Sequence, residues 1–210
     1  CNNLLEDNQA DEMQKYFAEN GKMYKAIVYD AMEQFIFKLN KQNITLVDWG
    51  CNQGIGSMLV LDYIKEKQLD IIINQIILID DNTIAISRAI SHINALKQND
   101  LELLTIQNDT QLETLSNIKN DITLNILIND KMAINILFDV DCDLLKNAYF
   151  MCLSNENTSF VNDIHNDMQL FNNIQDISIR DNKIGRFDRY ERIFEINNLD
   201  QNISEIDMDY

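Results

Sequence analysis

Proline is absent from this chain, and glycine occurs only five times in 210 residues. Isoleucine, asparagine, aspartate and lysine are abundant instead, and both shortages read as the codon bias of an AT-rich genome. The missing proline therefore excludes little by itself. The glycine shortage is more useful, because a glycine cluster in so poor a background marks a backbone requirement. Cysteine and histidine are scarce as well. Cysteines 1, 51, 142 and 152 show no metal-ligand spacing, and neither His92 nor His165 has metal-ligand company, so no metal centre is expected. Three of the cysteines fall in or beside predicted core elements and read as reduced thiols of a cytoplasmic protein. Cys1 stands where an initiator methionine would, and an acylated lipoprotein-type cysteine is the weaker alternative. No apolar run approaches the length of a membrane span, and no signal-peptide pattern is present, so no membrane partner is expected.

Basic residues are few too. Lysine and arginine number 17 against 34 aspartates and glutamates, a net charge of −17. Such a chain repels phosphate backbones, which disfavours nucleic acid as a partner. The one basic concentration, Arg180 to Arg192, is interrupted by Asp181, Asp188 and Glu191 and reads as a solvated strand pair. What is plentiful is apolar: 46% of residues, ample core for one α/β domain. No repeat, linker or composition break divides 1–210. A single domain is expected, with 1–12 and 199–210 as flexible acidic ends.

Three of the glycines, Gly50, Gly54 and Gly56, sit together in Thr-Leu-Val-Asp-Trp-Gly-Cys-Asn-Gln-Gly-Ile-Gly (45–56). An apolar run leads in and a helix-like run leads out. A strand turning through glycines into a helix lets backbone N–H groups approach a ligand, and the helix N-terminus adds partial positive charge. A dinucleotide fingerprint, G-x-G-x-x-G, fits poorly: from Gly50 it meets Asn52 and Ile55, and from Gly54 it meets Leu59. A tight turn without a ligand is the plain alternative.

Elsewhere, Tyr24, Val28, Ala31, Phe35 and Leu39 form one apolar stripe and predict a helix over 13–40, with Gly21 setting off a short first segment. Strands are predicted at 44–47, 75–79, 101–107, 122–128 and 148–153. Helices are predicted at 57–67, 83–97, 111–119, 134–145 and 161–172. Segments 177–180 and 190–196 predict an antiparallel hairpin around Gly185. Asp81 or Asn82 can cap the helix that begins at Thr83. Alternating strand and helix predict right-handed crossovers and a parallel sheet covered on both faces, with a ligand beyond the carboxyl ends of the strands.

Asp48-x-Gly50-x-Asn52-x-Gly54 resembles motif I of class I S-adenosylmethionine-dependent methyltransferases, an acidic residue followed by Gly-x-Gly-x-Gly, with Asn52 in place of the middle glycine. Four segments together (48–54, 77–80, 87–93 and 189–194) resemble a set of small bacterial methyltransferase-like proteins, over about residues 24–196. They read Asp-Trp-Gly-Cys-Asn-Gln-Gly, Ile-Leu-Ile-Asp, Ser-Arg-Ala-Ile-Ser-His-Ile and Arg-Tyr-Glu-Arg-Ile-Phe. The resemblance implies a three-layer, Rossmann-like, seven-stranded and mostly parallel sheet with a C-terminal antiparallel hairpin, and S-adenosyl-L-methionine as cofactor. It places Asp48, Gly50, Cys51, Asn52 and Gly54 around that cofactor, the Asn52 side chain falling where its amino-acid part lies. Asp80, with Asp81 beside it, would receive the ribose hydroxyls unless it merely caps a helix. Asn108 or Asp109 would lie beside the adenine amino group. Asn129 and Asp130 would follow the fourth strand on the acceptor side. Asparagine accepts left-handed backbone angles better than most residues, so the turn can survive the exchange at 52.

Other side chains carry blander expectations. Trp49 is expected to pack between sheet and helix rather than flank the cofactor. Tyr16, Phe17 and Tyr24 form either a lid over it or core against the sheet edge. His92 reads as a partly exposed helix residue, His165 as surface, and 189–192 as an exposed strand. The function these readings support is methyl transfer to a small-molecule or protein acceptor, with no dedicated catalytic side chain required. A catalytically inactive binding module on the same fold is the alternative, and a nicotinamide enzyme is disfavoured by the glycine spacing.

Overall fold

The structure, a computed structural model, describes residues 2–96, 101–107, 122–129, 147–156, 158–171 and 174–196. Among these, strands β1 (Asn43–Trp49), β2 (Ile72–Ile79), β3 (Glu102–Ile106), β4 (Thr123–Ile128), β5 (Ala148–Ser154), β6 (Ile174–Ile184) and β7 (Phe187–Ile196) form one sheet in the order β3-β2-β1-β4-β5-β7-β6. Neighbours among β1 to β5 pair in parallel, and β7 inserts antiparallel between β5 and β6. The seven-stranded, mostly parallel sheet with a terminal hairpin is the architecture that the resemblance implied. The strand order reverses between β1 and β4.

Helices α1 (Asn2–Phe35), α2 (Ile55–Glu66), α3 (Thr83–Leu96) and α4 (Thr158–Phe171) cover the sheet. Alternate residues of the central strands serve two cores. Leu46, Ile76, Leu78, Leu124, Ile126 and Met151 cluster with α1, α2 and α3. Val47, Trp49, Ile77, Ile79, Leu127 and Phe150 cluster with α4. Burial on both faces is why these strands read as unbroken apolar runs. Among the described residues no helix is long and apolar enough to cross a membrane.

α1 differs from expectation at two points. It begins at Asn2, so 2–12 are helical rather than frayed, and it passes through Gly21 without a break. One glycine in a helix costs only about 1 kcal/mol, and the stripe after it (Tyr24, Ile27, Val28, Ala31, Met32 and Phe35) is buried. The predicted helices at 111–119 and 134–145, and the tail at 199–210, lie outside the described residues.

The hairpin is the larger correction. β6 spans eleven residues, because its polar outward positions and a register shift between Asp176 and Ser178 hide the alternation. Gly185 (φ 60°) opens the two-residue turn, as a tight hairpin requires. The 189–192 stretch is not exposed: Arg189, Glu191 and Arg192 retain 3%, 0% and 5% of their accessibility. They are buried because helices lie over both faces of the strand. Toward α1, Asp30 Oδ2 accepts from Arg180 Nη1 at 2.9 Å and from Arg189 Nη1, while Gln34 accepts from Arg180 Nη2. Ser178 Oγ donates to Glu191 Oε1 at 2.5 Å. Toward α4, Arg192 donates to Asn162 at 3.0 Å through Nε and to Asp181 at 2.8 Å through Nη1. His165 is also buried rather than on the surface, with Nε2 at 2.6 Å from Asp176 Oδ1 and its ring edge-on to Phe194.

Removing one partner of a buried ion pair leaves the other charge uncompensated. Asp30 is 32% exposed while Arg189 keeps 4%, so solvent screening tempers the cost. Asp30→Ala should destabilise the fold by about 2–4 kcal/mol in denaturant titration. Lys183→Ala, which breaks the exposed pair with Asp188, should stay within about 0.5 kcal/mol.

Candidate cofactor site

β1 ends at Trp49 and α2 starts at Ile55, so the chain must coil tightly between them. Gly50 (φ 61°), Asn52 (φ 47°) and Gly54 (φ 74°) take left-handed backbone at alternate positions. The coil is tied by Cys51 N–H to Ile79 O at 2.9 Å, Gly54 N–H to Cys51 O at 2.7 Å and Met58 N–H to Gly54 O at 2.9 Å. Below it, the buried Asp48 carboxylate accepts the Ser57 N–H at 2.9 Å and the Ser57 hydroxyl at 2.7 Å. A carboxylate at a helix N-terminus is favoured by the exposed N–H groups and the dipole. Gly56 makes this approach feasible: a Cβ there would lie 2.9 Å from Ile126 Cγ2 and 3.2 Å from Asp48 Oδ1. A Cβ at Gly54 would lie 2.9 Å from Ala89 Cβ of α3.

Asp80 ends β2 and joins the coil to α3. Its Oδ2 accepts the Asn52 N–H at 2.7 Å, and its Oδ1 accepts the Asn82 N–H at 2.8 Å. The cap of α3 is Asn82, whose Oδ1 accepts the N–H groups of Ile84 and Ala85 at 3.0 and 3.2 Å. Capping is thus done by Asn82, not Asp81, and Asp80 is left as a bridge at the open end of the sheet. Each carboxylate oxygen can accept more than one hydrogen bond.

A cavity of about 370 Å³ lies against this bridge, beyond the carboxyl ends of β1, β2 and β4, where the strand order reverses. Such a position is the usual ligand crevice of an open α/β sheet. One wall is Asp48, Gly50, Cys51 and Asn52 with Asp80, Asp81, Asn82 and Ala85. The facing wall includes Tyr16, Tyr24, Ile128, Asn129 and Glu156. Asn129, itself left-handed (φ 54°), donates through Nδ2 to Tyr24 Oη at 3.3 Å and to Asn155 Oδ1. Asn155 N–H returns to Asn129 Oδ1 at 3.3 Å, and the Tyr16 and Tyr24 hydroxyls bond to each other. Burial pushes the Tyr24 phenol well above its ordinary 10.0, and the Tyr16 hydroxyl bond and Glu156 charge add to this while Asn129 opposes it. At neutral pH Tyr24 is a hydrogen-bonding phenol and not a base. Among the described residues no group of three or more His, Cys, Asp or Glu side chains is placed to hold a metal ion.

Of the residues expected to bind a cofactor, Asp48, Gly50, Cys51, Asn52, Asp80, Asp81 and Asn129 line this cavity. Gly54 shapes the coil without lining it. Asn108, Asp109 and Asp130 lie outside the described residues. Trp49 faces the other core, its Nε1 donating to Asn125 Oδ1 at 2.9 Å, which is the packing role. Tyr16 and Tyr24 line the cavity, Tyr24 is also part of the buried core, and the Phe17 side chain lies outside the described residues. The exposed Asn52 side chain makes no hydrogen bond among the described residues. Ile55, Asn82, Ala85, Ile128 and Glu156 were not anticipated as lining. The first four follow once α2, α3 and β4 are known to point at one crevice, whereas Glu156 needs the β4–β5 pairing.

No protein-family model matches the chain, and no curated protein does. Solved structures do. M. capricolum TrmK, determined in complex with S-adenosyl-homocysteine, matches at 12% identity over 80% of this chain and 69% of its own, with a TM-score of 0.52. A ribosomal protein L11 methylase from Lactobacillus delbrueckii subsp. bulgaricus matches at 12% identity over 80% and 77%, with a TM-score of 0.51. This is the class I methyltransferase fold.

The comparison corrects the expectation about partners. Structures matching this fold include chains named as RNA methylases, among them an rRNA methylase from Streptococcus thermophilus (9% identity, 84% of this chain and 95% of that one, TM-score 0.47). A net charge of −17 does not by itself set nucleic acid aside as an acceptor. Charge summed over a chain bears on solubility and encounter, not on what a particular face of the methyltransferase fold can hold.

Three substitutions separate the roles of the left-handed positions. Gly54→Ala adds both left-handed strain and overpacking against Ala89, about 2–4 kcal/mol in all. Gly185→Ala, with nothing within 4 Å of the added Cβ, should cost only about 1–2 kcal/mol. Asn52→Gly should move stability by no more than about 1 kcal/mol. Urea midpoints of the three variants order these costs.

Tyr24 gives a pH test. Its phenol is raised in the folded state, so its contribution is complete below pH 10.0 and is lost as pH rises beyond that through the folded value. Tyr24→Phe should therefore lose less stability than wild type between neutral pH and pH 10 to 11, measured by denaturant titration.

Proposed function

We propose that this chain binds S-adenosyl-L-methionine in the cavity at the ends of β1, β2 and β4 and transfers its methyl group. The observation that carries this reading is the Asp80 carboxylate. It is relieved of capping by Asn82 and bridges the Asn52 N–H and the start of α3 on the cavity wall. A carboxylate so placed suits two vicinal hydroxyls of a ribose. The left-handed coil at 50–54 suits the amino-acid end, and Asn129 with Tyr16, Tyr24 and Glu156 faces the acceptor. The cavity volume lies within the roughly 300–1,000 Å³ usual for small-molecule and cofactor sites.

No side chain is assigned to proton transfer. Methyl transfer from a sulfonium depends on placing the methyl group in line with the nucleophile, and binding both partners supplies that. The class of acceptor stays open among small molecules, proteins and RNA.

The second reading, a binding module that has lost the cofactor, is motivated by Asn52. It needs the asparagine to close the cavity, yet among the described residues that side chain bonds nothing across it, and a cavity of about 370 Å³ is present. The first reading is therefore preferred.

Calorimetric titration with S-adenosylhomocysteine should give saturable heat and a raised melting temperature. Asp80→Ala should weaken binding by about tenfold to a hundredfold, the loss of roughly 1.5–3 kcal/mol of charge-assisted hydrogen bonding. Absence of heat and of thermal shift near millimolar ligand in the wild type would reject the enzyme in favour of the binding module.

A further inference from the structure

The 87–93 segment resembles its counterparts in methyltransferase-like proteins, yet it lies largely away from the cavity: of α3, only Ala85 lines it. Arg88 and His92 are four residues apart and so share one face of the helix. Both reach Gln53. Arg88 Nε donates to Gln53 Oε1 at 3.0 Å, and His92 Nδ1 lies 2.9 Å from the Gln53 carbonyl oxygen. A carbonyl only accepts, so Nδ1 carries the hydrogen. Gln53 is fully buried at 0%. A single loop residue is thus gripped by side chain and main chain from one helix.

Its neighbours in the loop are those that meet the cavity and α3. Asn52 sends its N–H to Asp80, and the missing side chain of Gly54 lets Ala89 of α3 close in. Asn52 carries a side chain at positive φ, a conformation that glycine adopts more readily. Such a conformation persists only where its surroundings over-determine it. The α3 clasp on the next residue supplies that determination.

We propose that Arg88 and His92 are positioning residues for the cofactor. They hold the 51–54 loop in its left-handed path, so that it receives the amino-acid end of the ligand, and they touch no part of the ligand themselves. This rests on the cofactor reading above. The competing role is simple adhesion of α3 to the sheet, which would matter equally for every part of the ligand.

Two measurements on the full chain decide between them, with Arg88→Met and His92→Phe as disruptive variants and His92→Asn as the variant that keeps a donor near Nδ1. The first is amide hydrogen exchange in the ligand-free protein. The Asn52 amide should exchange about tenfold faster or more in the disruptive variants, amides of β4 should be unchanged, and His92→Asn should return Asn52 toward wild type. Unchanged exchange at Asn52, or equal acceleration in β4, overturns the proposal. The second is calorimetry with S-adenosylhomocysteine and with 5′-methylthioadenosine, which lacks the amino-acid end. The disruptive variants should weaken the first by about tenfold and the second by no more than about twofold. Equal weakening of both assigns the clasp to adhesion and overturns the proposal. Failure of the wild type to bind either ligand marks the cofactor reading itself as wrong, whereas equal weakening of both ligands in the variants of a binding wild type marks only the clasp as wrong.

Discussion

The carboxylate of Asp48 fixes where α2 begins. It sits at the end of β1, almost without solvent, and takes both the N–H and the hydroxyl of Ser57. With helix and strand tied together at that point, the residues between them coil tightly through left-handed turns at Gly50, Asn52 and Gly54. The coil in turn presents the Asn52 N–H to Asp80, and Asp80 sets the start of α3. One buried acid thus propagates through a second acid to two helices, and the cavity lies against the point where they are tied. Charges of this kind tolerate burial only with hydrogen-bond partners in place, and here the partners are the backbone groups whose position is being defined.

The opposite end of the chain is held by charges as well. The terminal hairpin would be a weak edge if it relied on apolar contact alone, since half of β6 is polar and exposed. Instead Arg180 and Arg189 converge on Asp30 of α1, and Arg192 on Asp181 and Asn162. Buried networks of this sort add little net stability compared with apolar packing, but they are intolerant of misplacement. α1 consequently has one registry along the sheet. Its middle turns carry Tyr16 and Tyr24 to the far wall of the cavity, so the hairpin contributes to the candidate site through the helix it fixes.

Much of this was legible in the sequence, and the rest was not for identifiable reasons. The parallel strands announced themselves because both faces are buried, leaving runs such as 75–79 without polar interruption. The glycine cluster marked the coil, and Asp80 and Asn129 could be placed by counting to the ends of strands. The 189–192 stretch misled because charged residues in a strand ordinarily face water. Nothing local tells that α1 and α4 lie over it, since those partners are supplied from about 160 and 30 residues away. His165 was misplaced for the same reason. Gly21 misled in the other direction: the tertiary burial of the α1 stripe outweighs a local propensity of about 1 kcal/mol. Asn82 could be read as a cap, but only the three-dimensional arrangement showed that its capping relieves Asp80.

Left-handed turns in this protein fall repeatedly on asparagine: Asn52, Asn129 and Asn147 share the conformation with three glycines. Two of the three stand on the cavity wall. A glycine there would offer only main chain, whereas each asparagine adds a primary amide with two donors and an acceptor. Asparagine at these positions thereby adds polar groups to the crevice wall. The Asn129 amide is taken up by Tyr24 and Asn155, whereas the exposed Asn52 amide can hold water whose hydrogen bonds an entering molecule must match. The crevice therefore sets terms by hydration as much as by shape, favouring occupants rich in hydroxyl and amino groups over greasy ones of equal volume.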